Sequence, residues 1–163
     1  MSRDASAATF ADAGPEVPQR AGLDLEILNA SVGYMLRRAQ LAVFADFGET
    51  FVQLNLRPGQ FAALTVIDRN HGMAQSEICA ALGIQRSNFV AVIHDLERRG
   101  LVRRTSSAAD RRSKALELTL TGRRVLERAA GLQRIHEARV ARRLGPGGRE
   151  QLLRLLGRLA DIA

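Results

Sequence analysis

Apolar residues recur in helical steps over most of this chain and give way to alternation only once. From Leu23 onward, Leu25, Leu28, Val32, Met35, Leu36, Ala39 and Val43 fall three and four residues apart. That single stripe predicts a first helix, ended by Gly48. Pro58 suits the first turn of a second helix, where a missing N–H forfeits no bond. Phe61, Leu64, Val66 and Ile67 supply its buried face, and Asn70-His71-Gly72 closes it. A short third helix from about Gln75 to Leu82 buries Ile78, Cys79 and Leu82, with Gly83 as the tight turn that follows. A fourth helix opens with Gln85-Arg86-Ser87-Asn88, turns Phe89, Val92, Ile93 and Leu96 inward, and stops at Gly100.

Two strand-like runs come next, Leu101-Val102-Arg103-Arg104 and Ala115-Leu116-Glu117-Leu118, joined by a loop carrying Asp110-Arg111-Arg112-Ser113-Lys114. Thr119 can cap a long helix through Leu120, Val125, Leu126, Ala129, Leu132, Ile135 and Val140. Gly145-Pro146-Gly147-Gly148 breaks it, and a last helix carries Leu152, Leu153, Leu155, Leu156, Leu159 and Ile162. The expected fold is mainly α with a small β-hairpin wing. A winged helix-turn-helix core over 56–119 is flanked by helices at 23–47 and 120–163, all within one domain at 23–163. An Ala- and Gly-rich arm at 1–22 precedes it as a mobile segment. The flanking helices carry more apolar surface than such a core can cover, so they are expected to act as dimerisation helices that pair two copies.

Charge sharpens this picture. There are 24 Lys+Arg against 17 Asp+Glu, a net of +7. The surplus is concentrated: Arg86, Arg98, Arg99, Arg103, Arg104, Arg111, Arg112, Lys114, Arg123 and Arg124 face only Asp95, Glu97, Asp110 and Glu117 in that stretch. Nearly all are arginine, the residue that forks onto phosphate and guanine. Aromatics make up 4% of the chain and Trp is absent, which leaves little for stacking single-stranded bases. A helix followed at once by a basic-tipped hairpin can put the helix in a major groove and the loop in the neighbouring minor groove of duplex DNA.

Other chemistries find no support. The lone Cys79 excludes an intrachain disulfide and any multi-cysteine zinc site, and His71, His94 and His136 lack ligand spacing. Cys79 has no adjacent cation to activate it and is expected to be a buried, inert thiol. No phosphate-cradling loop or nucleophile elbow is present, so no enzyme, cofactor or metal is expected. Neither a secretory signal nor an apolar run of spanning length appears, so the protein is expected to be cytoplasmic and to have no membrane partner.

Taken in order, Gly83-Ile84-Gln85-Arg86-Ser87, Asp95-Leu96-Glu97-Arg98-Arg99-Gly100-Leu101-Val102, Asp110-Arg111-Arg112-Ser113-Lys114, and Leu118-Thr119 followed by Gly122 form a linked set. In that set the chain resembles the multiple antibiotic resistance regulator (MarR) family of bacterial transcription factors, from about Leu25 to the C-terminus. The resemblance implies a homodimer on a pseudo-palindromic operator of double-stranded DNA. It also implies repression relieved by a small aromatic or phenolic acid, held in a cleft between the dimerisation helices and the reading head.

Within that frame Arg86 can fork onto guanine, Asn88 can pair with adenine, and Ser87 suits a phosphate; Gln85 or Ser87 can equally serve as a helix cap. In the wing, the family pattern makes Asp110 a brace that positions an arginine, with Arg111 or Arg112 reaching the minor groove. Arg103, Arg104 and Lys114 are phosphate contacts or strand-face charges. The effector cleft would draw on Tyr34, Arg37, Arg38, Phe61 and His71: cation or imidazole for a carboxylate, rings for a ring. Arg37 and Arg38 can also be a solvated face, and His71 can simply finish a helix. Two other functions compete. One is a ligand-independent activator or anti-silencing factor. The other is a protein-interaction adaptor, which has no need of arginine at both the reading helix and the wing tip.

Overall fold

The computed structural model describes residues 23–106 and 114–160. The chain runs α1 (Glu26–Asn29), α2 (Val32–Thr50), a single 3-10 turn (Val52–Leu54), α3 (Pro58–Arg69), α4 (Gln75–Ala81), α5 (Arg86–Arg98), β1 (Val102–Ser106), β2 (Lys114–Leu118), α6 (Leu120–Leu144) and α7 (Gly148–Ala160). The expected class, helices with one hairpin, is the observed one.

The N-terminal helix departs from expectation. It is not continuous from Leu23: α1 is a single turn, started by the Asp24 carboxylate accepting from the Glu26 N–H at 2.9 Å. Ser31, with extended backbone at φ −91° and ψ 124°, breaks the run before α2 restarts. Its carbonyl accepts from the Met35 N–H, the first hydrogen bond of the new helix. Nor does Gly48 end α2, which passes through it to Thr50, whose hydroxyl donates back to the Asp46 carbonyl.

One core holds the reading head together. Phe51, Leu64, Ile67, Ile78, Phe89, Ile93, Leu96 and Leu116 are fully buried, drawn from α3, α4, α5, the 3-10 region and β2. Phe61, Val66 and Leu82, expected in that interior, are only half-buried at its margin. The turn between α4 and α5 is pinned from within. Gly83 takes φ +61°, the left-handed region open to glycine, so that buried Ile84 can donate its N–H to Cys79 O. The Cys79 thiol donates in return to the Ile84 carbonyl. Cys79 is therefore a packed, bonded side chain, as its neighbours suggested.

The hairpin pairs antiparallel, Val102 opposite Leu118 and Arg104 opposite Leu116. Its inner strand is hooked to the loop before α4 by an Ala74–Ala115 bridge, with the Leu116 N–H reaching Met73 O. The root of the wing is fixed by Thr119. Its hydroxyl accepts from Gly122 N at 3.0 Å, capping α6, and donates to Gly100 O at 2.6 Å. At Gly122 the helix lies so close to the end of α5 that an added Cβ would stand 2.0 Å from Leu101 O.

Candidate DNA-reading and effector site

The start of α5 offers an open, polar and cationic surface. Gln85, Arg86 and Ser87 are exposed and Asn88 is half-buried, and none of these four side chains is hydrogen-bonded among the described residues. Gln85 occupies the cap position without a side-chain cap bond, which leaves the first N–H groups of α5 unsatisfied. The helix dipole and those N–H groups favour an anion here.

The opposite end of α5 is committed to structure. Arg99 donates to Leu54 O at 2.9 Å and to Asn55 O at 2.8 Å, across to the segment after α2. Asn55 sits there in the left-handed region, at φ 47°. Asp95 accepts from the Gln60 amide at 2.7 Å and pairs with Arg98, while Gln60 also accepts from the Arg57 N–H. Arg99, part of the basic surplus in sequence, thus ties the reading helix to the segment after α2, and Asp95 ties it to α3 through Gln60, whereas Arg98 pairs only within α5 among the described residues.

The strand arginines are also paired. Arg103 meets Glu117 across the hairpin at 2.9 Å, and Arg104 meets Glu97 of α5 at 3.0 Å. Both pairs are accessible to solvent, so each is worth little and can be exchanged for another anion. The wing-tip expectations at Asp110, Arg111 and Arg112 lie outside the described residues. Lys114 is placed only by its backbone, opposite Ser106 at the end of the ladder.

The five effector candidates separate. Arg38 lies over the Tyr34 ring at 5.9 Å and donates to Asn29 Oδ1, so those two stand together on the N-terminal half of α2. Arg37 is exposed beside them with no ion pair among the described residues. Phe61 belongs to an aromatic group at the other end of α2, 5.9 Å from the Phe47 ring and 5.5 Å from Phe51. His71 is exposed beyond the end of α3, and no hydrogen bond or ring contact joins it to the other four.

A further cluster was not foreseen. His136 of α6, only 4% exposed, places Nδ1 2.7 Å from the Asp46 carboxylate of α2, and its ring meets Phe47 edge-on. Arg139 adds a bond to Thr50 Oγ1 at 3.1 Å and lies 3.5 Å from Asp46. Burial by itself raises the Asp46 pKa. The hydrogen bond with His136 and the charges of Arg139 and His136 outweigh that, and the carboxyl ends below its ordinary value. The Phe44, Phe47, Phe51 spacing was the available signal in the sequence; the Asp46–His136 partnership had none.

Comparison with known proteins fits this geometry. A MarR family model matches residues 54–113, from the 3-10 turn to the wing. A putative transcriptional regulatory protein for the hcr operon of Thauera aromatica is 35% identical over 129 residues, 78% of each chain. The chain belongs to the MarR family. Among solved structures, the transcriptional repressor CouR bound to a 23-mer DNA duplex matches this MarR-family chain with TM-score 0.79 and 45% identity, over 85% of this chain and 98% of that one. CouR bound to p-coumaroyl-CoA matches with TM-score 0.81 and 42% identity, over 86% and 99%. Bordetella bronchiseptica BpsR, whose DNA binding is regulated by 6-hydroxynicotinic acid, matches with TM-score 0.76 and 27% identity, over 83% and 96%. The chain is thus a winged-helix transcriptional regulator, of a family and with neighbours that are regulators rather than enzymes. No described helix is long and apolar enough to cross a membrane.

Proposed function

We propose that this MarR-family protein is a homodimeric repressor that reads a pseudo-palindromic operator through the start of α5 and the wing, and releases it on binding a small aromatic or phenolic acid. The observation that carries DNA reading is the contrast along α5. Among the described residues Arg86 and its neighbours have no partner at the N-terminal end, whereas Arg99 is committed to Leu54 O and Asn55 O at the other. Arg86 is assigned a bidentate base contact, Asn88 a second base contact, and Ser87 and Gln85 the phosphate nearby. Arg103, Arg104 and Lys114 supply phosphate contacts, with Asp110 and Arg111 or Arg112 at the wing tip. The family and the solved neighbours, DNA-binding regulators rather than enzymes, support a non-enzymatic role.

Dimerisation is supported by the outer helices. Ile27 is 88% exposed, and Val32, Met35, Ile135, Leu153 and Leu155 are open as well; α7 has no buried residue. Apolar surface on this scale needs a cover, and a second copy presents the matching faces. The aromatic effector is argued from the rings around Phe61 and from CouR and BpsR, which both answer to aromatic compounds.

Sedimentation with and without a promoter fragment from the flanking region tests the whole reading. A dimer that binds the fragment with a steep salt dependence is expected. A monomer indifferent to the fragment at low ionic strength overturns it.

A further inference from the structure

The outward face of α5 changes character one turn in from its start. Arg86, Val90 and His94 are exposed at four-residue steps with Ser87 and Ala91 beside them, while Phe89, Ile93 and Leu96 face the core. Val90, 42% exposed, is the one open large apolar side chain among the described residues from Gln53 to Leu118. Most of the others lie on α1, α2, α6 and α7, whose faces the proposed dimer covers. A single exposed valine needs no partner in general, but this one stands a turn along from Arg86 on the face assigned to the operator. Valine is also a poorer helix former than alanine, so local propensity does not favour it at an open position.

No carboxylate stands on this strip: Asp95 is held by Gln60 and Arg98, and Glu97 by Arg104. The strip therefore suits a polyanion along its whole length, with a methyl-bearing patch in its middle. Ala91 adds no long side chain that would hold the helix away from a groove floor. In the major groove one base alone offers an apolar group, thymine with its C5-methyl. Resting on the proposed reading of α5 as the operator-reading helix, we infer that Val90 is a specificity-determining residue that packs on the C5-methyl of a thymine, with Ala91 closing the same contact. Four residues advance an α-helix by roughly 6 Å, so that thymine lies about two base-pair steps of about 3.4 Å from the position that Arg86 reads. Arg86 selects by hydrogen bonding and Val90 by removing a methyl group from water, so the two discriminate independently.

Replacing thymine with deoxyuridine deletes that methyl and leaves every hydrogen-bonding edge intact. Duplexes of the bound promoter fragment, with each symmetric pair of thymines replaced in turn, are titrated by fluorescence anisotropy against wild type, Val90→Ala and Arg86→Ala. Replacement of one such pair is expected to weaken wild-type binding about three- to tenfold. That penalty should fall below about 1.5-fold in Val90→Ala and persist in Arg86→Ala, because only the first variant removes the methyl's partner. Val90→Ala should sediment as wild type does and melt no lower, since alanine is the better helix former. The absence of any sensitive thymine, a penalty that survives Val90→Ala, or a shift of that variant to monomer overturns the inference and leaves the operator-reading proposal standing. A promoter fragment that wild type itself fails to bind takes both down.

Discussion

Asp46 and His136, ninety residues apart in sequence, meet at 2.7 Å across α2 and α6. The pair joins the two helices that also bear the exposed apolar stripes, so it fixes the platform from which the reading head hangs. Removing one member strands the other in a largely dry setting, which costs on the order of 1–3 kcal/mol. Asp46→Ala is therefore expected to lower unfolding stability in urea by about 2 kcal/mol. The pH dependence follows from the lowered Asp46 pKa. In the unfolded chain the carboxyl takes up its proton near its ordinary value of 3.8, before the folded form does. The stabilisation is then complete above that value and is lost as pH falls through the lower folded one. The stability gap between wild type and Asp46→Asn should be level in weakly acidic solution and shrink below pH 3.8. A gap that widens on acidification contradicts this assignment.

Arg86→Ala should weaken operator binding by about 1–3 kcal/mol and relax preference at one base pair per half-site. Footprinting and fluorescence anisotropy on the same operator fragment check both parts. An unchanged footprint at wild-type affinity would move the base contact elsewhere on α5.

Glu97 holds Arg104 at 3.0 Å, and on the proposed reading Arg104 exchanges that partner for a DNA phosphate. Glu97→Gln releases the guanidinium in advance. Affinity for duplex should rise a few-fold and the salt slope should steepen by up to about one unit. Anisotropy at several ionic strengths measures it, and a shallower slope would mean that Arg104 stays away from the DNA.

Gly122→Ala tests the seam between the reading head and α6. Its Cβ would collide with the backbone carbonyl of Leu101, which cannot rotate aside. A loss of about 3 kcal/mol is expected, read from thermal or urea unfolding. A neutral result would show that α6 can slide at its first turn.

Legibility followed range. Pro58, Gly83, Gly100 and Thr119 announce their turns through local backbone chemistry, and each sits where its residue type predicts. The break at Ser31 was hidden because the apolar stripe runs straight through it, and stripe continuity reports shared surface rather than an unbroken ladder. Arg99 read as part of a DNA-facing charge cluster, because nothing local marks a guanidinium aimed at Leu54 O and Asn55 O, more than forty residues earlier. The same limit hid His136, one polar residue on a long helix whose partner belongs to another. Of the effector candidates, Tyr34 and Arg38 are neighbours one turn apart on one helix, whereas His71 depended on a tertiary guess and stands apart.

Helix α7 takes from its own subunit little more than the Arg149–Glu137 ion pair at its first turn. With the proposed assembly, the free energy that keeps it helical comes from a second molecule and varies with the logarithm of protein concentration. Gene dosage then enters the folding equilibrium: on that reading, a cell with few copies would hold a population of half-formed regulators, unable to repress and open to proteolysis at α7.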